Sequence, residues 1–246
     1  MRFFFRCKLF ATLLLFFFVP TLCCASVDPN QIFPTKTVYF GVNMGGGSTE
    51  WKYLVDKTDQ DGQADLATPT SVSEGGPSWG VVFGYDLAKN FSIELQYMQF
   101  ANAKIYFANG SDYMYPDGTN ILSMVSKTDA YSLSGKFFVR FGKSHLRAFS
   151  AIGAGFVERR DILVGYDDDS GLYLNPPPYS NVNGRARQTS CITPYLSAGL
   201  NYSFSRHWMI ETGFQYYTGF GKAQLTPVSS FIPFAWDAYG RLAYQL

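Results

Sequence analysis

The clearest pattern in the chain is a strict alternation of apolar with small or polar residues over residues 192–217. Ile192, Leu196, Ala198, Leu200, Tyr202 and Phe204 share one parity, and Thr193, Tyr195, Ser197, Gly199, Asn201 and Ser203 the other. After a nearly loopless turn at Ser205-Arg206, Trp208, Ile210, Thr212, Phe214 and Tyr216 oppose Met209, Glu211, Gly213, Gln215 and Tyr217. Successive strand side chains point to opposite faces, so this is a strand pair with one apolar and one small-or-polar surface. A tilted strand of about ten residues spans a bilayer's hydrocarbon core.

The same alternation predicts strands over residues 37–44, 78–87, 91–100, 129–141 and 145–157, and a last one after residue 233 in which Trp236, Ala238, Leu242, Tyr244 and Leu246 share a parity. Connections are short at Ala88-Lys89-Asn90, Gly142-Lys143-Ser144 and Ser205-Arg206, and long over 45–77, 101–128, 158–190 and 218–233. An even strand count with short turns at one end and long loops at the other predicts an all-β fold, an eight-stranded antiparallel up-and-down transmembrane β-barrel.

Charge decides which parity faces out. Asp86, Glu94, Lys136, Arg140, Arg147, Glu211, Asp237 and Arg241 fall on the small-or-polar parity, and the apolar parity is read as free of charge. A charge on the lipid face at mid-bilayer costs roughly 2–4 kcal/mol, so the apolar parity is assigned outward. A soluble barrel would invert this arrangement. Trp79, Trp208, Trp236 and Tyr244, near strand ends on the apolar parity, suit an interfacial aromatic girdle and favour the membrane.

The composition, 18% aromatic and 16% charged with 23 glycines in 246 residues, fits one such domain. Residues 1–25 read as a signal peptide: Arg2, Arg6 and Lys8 precede an apolar run over 9–19, and small residues lead to Ala25. Cys23 and Cys24 raise a lipoprotein alternative, which Leu22 fits poorly. Cleavage after Ala25 leaves residues 26–246 as the barrel domain and takes the net charge from +1 to about −2, with no basic excess to suggest nucleic acid. Cys191 then stands alone, so no intramolecular disulfide can form.

The segments WGVVFGYDLAKNFSIELQY, AFSAIGAGF and PYLSAGLNYSFSRHWMIETGFQYY resemble the OmpA-like outer-membrane β-barrel family of Gram-negative bacteria, over residues 26–246. The resemblance implies location in the outer membrane after signal-peptide cleavage, contact with the lipid bilayer and lipopolysaccharide, and insertion by the barrel-assembly machinery. The alternation of Leu242, Tyr244 and Leu246 resembles the assembly signal, although the family commonly ends in Phe. The peptidoglycan-binding domain of full-length OmpA is expected to be absent, so the resemblance does not imply a cell-wall anchoring role.

Of the lumen charges, Glu94, Lys136, Arg140, Arg147, Glu211 and Arg241 are expected to converge at one depth. They form either a static network filling a narrow barrel or, as the resemblance suggests, a gate or pore constriction. Balanced charge and inward Tyr39, Phe138, Phe149, Tyr195, Tyr217 and Tyr239 favour the plug. No catalytic residues are expected. His145 and His207 each lie beside a short turn, and no His-x-Ser pair lies on the last strand, so a lipid A-modifying enzyme is the weakest alternative.

No cofactor or metal site is expected either. Asp59, Asp61 and Gly62 resemble part of a calcium loop, with Lys57 where an acid is needed, and the aspartates 167–169 read as a solvated loop. Trp51, Tyr53, Tyr106, Tyr113, Tyr115, Tyr166, Tyr173 and Tyr179 in the long loops either bind a partner, since tyrosine buries large area at small entropic cost, or pack on one another above the barrel, and the sequence weighs the two equally. The expected role is therefore structural or adhesin-like, toward a host or surface ligand at the loops, with a small-solute or ion pore as the alternative.

Overall fold

The computed structural model describes residues 33, 35–51, 69–107, 120–166, 186–219 and 232–246. Ten strands are present among them: β1 (Thr37–Thr49), β2 (Pro69–Ser73), β3 (Gly76–Ala88), β4 (Phe91–Gln99), β5 (Ala103–Phe107), β6 (Asn120–Arg140), β7 (Leu146–Tyr166), β8 (Ala186–Ser203), β9 (Trp208–Tyr217) and β10 (Ala235–Gln245). Eight of them, β1, β3, β4, β6, β7, β8, β9 and β10, pair antiparallel with their neighbours, and β6–β7 pairing together with β1–β10 pairing closes the ring. The fold is an eight-stranded antiparallel barrel, closed without an edge.

The other two strands prolong the wall beyond the ring. β2 and β3 are one strand kinked at Glu74-Gly75, where Gly75 takes a φ of +85°, a conformation that disfavours any residue with a Cβ. β5 continues β4 across a break at residues 100–102, and pairs with both β2 and β6. β6 and β7 each run 21 residues, about 70 Å at ~3.3 Å per residue, so that even tilted by roughly 40° they rise about 50 Å and extend well past the roughly 30 Å hydrocarbon core at one end. The strands are thus longer than the alternation alone predicts, reaching into the stretches 45–77, 101–128 and 158–190 that read as loops.

The outer wall carries the apolar parity. Leu133 is 58% and Phe137 50% exposed, with Phe83, Leu95, Ile152, Leu196 and Leu242 similarly placed, while the alternate residues are buried in the lumen. Large apolar side chains do not stay in water on this scale, so lipid is the solvent this wall fits. One assignment needs correction: Asp129, which opens the strand predicted over 129–141, shares the outward parity of Tyr131 and Leu133. It lies above the apolar belt, where its carboxylate accepts the Tyr97 hydroxyl at 3.0 Å.

Aromatic side chains mark both edges of the belt. At the end bearing the short turns, Trp208 packs edge-on to Tyr244 at 5.0 Å between ring centroids, with His207 stacked on the same ring at 5.6 Å. At the other end, Trp236 stacks on Phe214 and donates to Glu50 at 2.6 Å, and Trp79 packs edge-on to Tyr97 and donates to Gln99 at 2.6 Å. Trp236 and Tyr244 stand about 27 Å apart along β10 at ~3.4 Å per residue, which a strand tilt of roughly 40° turns into about 20 Å of height, a little less than the roughly 25 Å apolar band of such barrels. Residues 1–25, Tyr53, Tyr113, Tyr115, Tyr173, Tyr179, the aspartates 59 and 61 and those at 167–169 lie outside the described residues, as does the side chain of Tyr166.

Candidate functional site

The lumen gathers its charge on one register row and completes it from across the barrel. Asn43, Arg241, Glu211, Asn201, Arg147 and Arg140 pair laterally through β1, β10, β9, β8, β7 and β6, all on the inward parity. Glu94 of β4 and Lys136 of β6 reach this row from the opposite wall. Lys136 Nζ lies 2.8 Å from Glu94 Oε1 and 2.5 Å from Glu211 Oε2, and Arg241 Nη1 lies 2.8 Å from Glu94 Oε1 and 3.0 Å from Glu211 Oε1. Two carboxylates and two cations thereby alternate in a closed, neutral square.

Every corner of the square has further partners. Arg241 donates to Asn43 Oδ1 at 2.7 Å and Gln96 Oε1 at 2.8 Å, Tyr39 donates to Glu94 at 2.5 Å, and Tyr239 donates to Glu211 at 3.0 Å. The Lys136 ammonium also sits over the Phe149 ring at 4.1 Å, a cation–π contact. Glu94 is 2% and Lys136 1% exposed. Charges this deep persist because each finds both an opposite charge and hydrogen bonds.

Inward glycines make the square reachable. A Cβ on Gly84 would lie 2.1 Å from Tyr39 Cζ, so the Tyr39 ring can cross to Glu94 only over a bare backbone. Gly213 plays the same part for Phe149 and Tyr239, whose atoms lie within 3.2 Å of where its Cβ would stand.

The other sequence-assigned charges are placed around this centre. Arg147 lies one layer nearer the short turns, bonded to Asn201 Oδ1 at 2.9 Å and to the Lys89 carbonyl, its guanidinium between the Phe33 and Phe138 rings at 4.1 and 4.0 Å. Asp86 accepts from Gln245 at 2.6 Å at the same end. Asp237 lies on the opposite side of the square and accepts from Ser78 and, at 3.1 Å, from Gln215. Arg140 does not join the convergence expected of it. Its row meets the rim there, and its Nε donates to the Ser144 carbonyl at 3.0 Å in the turn.

Apolar side chains close both ends of the lumen. Near the short turns, Phe138, Phe149 and Tyr239 cluster, and Phe33 from the segment preceding β1 packs under Arg147. Toward the long-strand end, Met98, Phe100, Val157, Tyr195, Tyr217, Ile232 and Ala235 form one buried cluster. One of these contributions, Phe33, has no signal in the sequence, where it stands alone beside Pro34 with no periodic pattern. Trp51, for which binding and packing were both open, is fully buried, with its backbone N–H donating to Glu74 at 2.6 Å. Tyr106, by contrast, is exposed on β5.

His145 and His207 both lie at the short-turn end. His207 Nδ1 is 3.0 Å from the Gln245 carbonyl, its backbone N–H donates to Ser205 Oγ at 3.2 Å, and the His145 ring lies 6.1 Å from that of Tyr202. Cys191 is a free, half-buried thiol on β8.

No protein-family model and no curated protein matches the chain. Among solved structures, it is similar to Neisserial surface protein A (11% identity, TM-score 0.47, 86% of this chain and 98% of that one) and to the N-terminal β-barrel domain of Pseudomonas aeruginosa OprF (12%, 0.44, 86% and 98%). It is also similar to Ail, the attachment invasion locus protein of Yersinia pestis (10%, 0.41, 87% and 100%). Similarity this low assigns neither activity nor partner, and the membrane barrel rests on the strand closure and apolar wall described above.

Proposed function

We propose that the protein is a structural and surface-interaction barrel of a Gram-negative outer membrane, sealed inside and working through the end where its strands project. The observation that carries this reading is the neutral Glu94–Lys136–Glu211–Arg241 square, buried and hydrogen-bonded on every side, with aromatic layers above and below it. A conducting lumen needs water and unpaired polar groups along a path. At the square, side chains use their polar atoms on one another.

Asymmetry supports the second half of the reading. Three connections are tight at one end, while β6 and β7 run on at the other and carry β5 and β2 with them. A stiff wall raised above the bilayer holds loops where a partner meets them. The reading is of a protein without enzymatic activity, supported by the two histidines, whose rings are engaged at the short-turn end.

Deleting residues 108–119 or 167–185, with assembly checked by the heat-dependent gel shift, tests it in intact cells. Loss of cell or surface adhesion with assembly intact supports the proposal. Unchanged adhesion after both deletions, from a protein that adheres at all, removes the loops as its basis.

A further inference from the structure

The outer wall changes character abruptly over β4, β6, β7 and β8. One outward row consists of Tyr97, Tyr131, Phe156 and Ile192, with adjacent rings in contact at 5.1 and 6.4 Å. The next row out is Gln99, Asp129, Glu158 and Ser190, and the one beyond it holds Lys127, Arg160 and Gln188. Lys104 on β5 is exposed one step further on. The sequence of rows is aromatic, acidic, basic, at the depth where hydrocarbon gives way to headgroups.

Two like-charge pairs lie directly across a strand pairing: Asp129 opposite Glu158, and Lys127 opposite Arg160. Such pairs destabilise a sheet unless something sits between them. The carboxylates already have partners, since Tyr97 donates to Asp129 and both Arg160, at 3.1 Å, and Gln188, at 2.8 Å, donate to Glu158. The cations are left with capacity to spare. Arg160 is 51% exposed, and among the described residues no carboxylate lies within ion-pair distance of Lys104 or Lys127.

A cleft of about 370 Å³ opens beside them, lined by Gly75, Pro77, Trp79, Gln99, Asn102 and Lys127. It offers one ammonium, two side-chain amides and the edge of an exposed indole. We propose that this cleft receives the phosphorylated sugar headgroup of an outer-leaflet glycolipid. A phosphate monoester fits between Lys127 and Arg160, where it relieves their mutual repulsion by charge-assisted hydrogen bonds. The sugar ring lies against Trp79, with its hydroxyls on the Gln99 and Asn102 amides. The acyl chains then fall along the Tyr97–Tyr131–Phe156 wall, so one ligand matches three adjacent chemistries at their own heights. This inference rests on the outer-membrane reading, with the projecting strand end facing outward.

The test uses the full barrel refolded in non-ionic detergent, its folding verified by gel shift, titrated with fluorescent rough lipopolysaccharide and read by anisotropy. Lys127→Gln and Arg160→Gln should each weaken binding about tenfold, as expected for loss of a hydrogen bond to charge. Trp79→Leu should weaken it too, and Lys143→Gln, at the opposite end, should not. Arg160 is exposed enough that its variant keeps the question open should Lys127→Gln fail to fold. Wild-type affinity in Lys127→Gln and Arg160→Gln would overturn the proposal. So would competition by phosphatidylglycerol micelles at equal concentration, which would reveal bare charge attraction, or displacement by millimolar inorganic phosphate, which would reveal a free-anion site. Orientation is scored apart, by labelling a Lys104→Cys variant in intact cells with a membrane-impermeant thiol reagent. Absence of label there sinks the outer-membrane reading while the binding result stands on its own.

Discussion

Replacing Lys136 by Met keeps the stem of the side chain and removes only the ammonium that two carboxylates share. At 2.8 Å and an effective dielectric of ~20, each such contact is worth roughly 6 kcal/mol before solvation is counted. Desolvation of the buried ions offsets most of that gain. The mutation, however, does not restore solvation. It leaves Glu94 and Glu211 buried with Arg241 alone between them, and an uncompensated buried charge costs about 3–5 kcal/mol. Adding Glu211→Gln returns the site to one carboxylate and one guanidinium. The double variant should therefore recover part of the loss, with a coupling on the order of 2 kcal/mol. Urea titration of the refolded barrel, followed by tryptophan fluorescence and by the gel shift, measures all three differences. Single losses under ~1 kcal/mol that add without coupling would refute the reasoning, because they describe ions already in contact with water.

Gly84→Ala should push Tyr39 off Glu94 and cost about 1–3 kcal/mol, and Tyr39→Leu in the same chain should return most of it; an undisturbed melting temperature for Gly84→Ala would contradict the close approach. Phe33→Ala should lose about 2 kcal/mol of burial and of its stacking on Arg147, seen as a lower urea midpoint. An unchanged midpoint would mean the segment before β1 does not seat in the barrel mouth. With the fluorophore attached at Phe137→Cys, brominated lipid should quench strongly, whereas Lys136→Cys should resist labelling in the folded barrel. The reverse would invert the wall.

How far the sequence discloses this molecule depends on where lipid supplies contrast. Between the two aromatic edges, residues such as Phe137 and Lys136 differ so sharply that parity assigns each to its side. Above the edge, outward positions become Asp129, Lys127, Glu158 and Arg160, the polar-versus-apolar contrast disappears, and strand reads as loop although the ladder continues. The charge square was legible as a set of residues but not as a set of partners. Pairing across the lumen depends on strand stagger, which brings Glu94 and Lys136 to Arg241 and Glu211 while carrying Arg140 out to the rim. Phe33 gave no signal because it is a single aromatic outside the alternating segments, and the two readings of Trp51 stayed open because nothing local distinguishes a buried ring from an exposed one.

The most direct measurement of the central claim is conductance of the refolded protein in a planar bilayer, with folding verified by its heat-dependent gel shift and with Glu94→Gln and Arg140→Gln alongside. A sealed lumen predicts no steady channel from the wild-type barrel and none from Arg140→Gln, whose side chain lies outside the square. Steady wild-type channels whose conductance changes in Glu94→Gln would contradict it, and would make the square a gate instead of a plug.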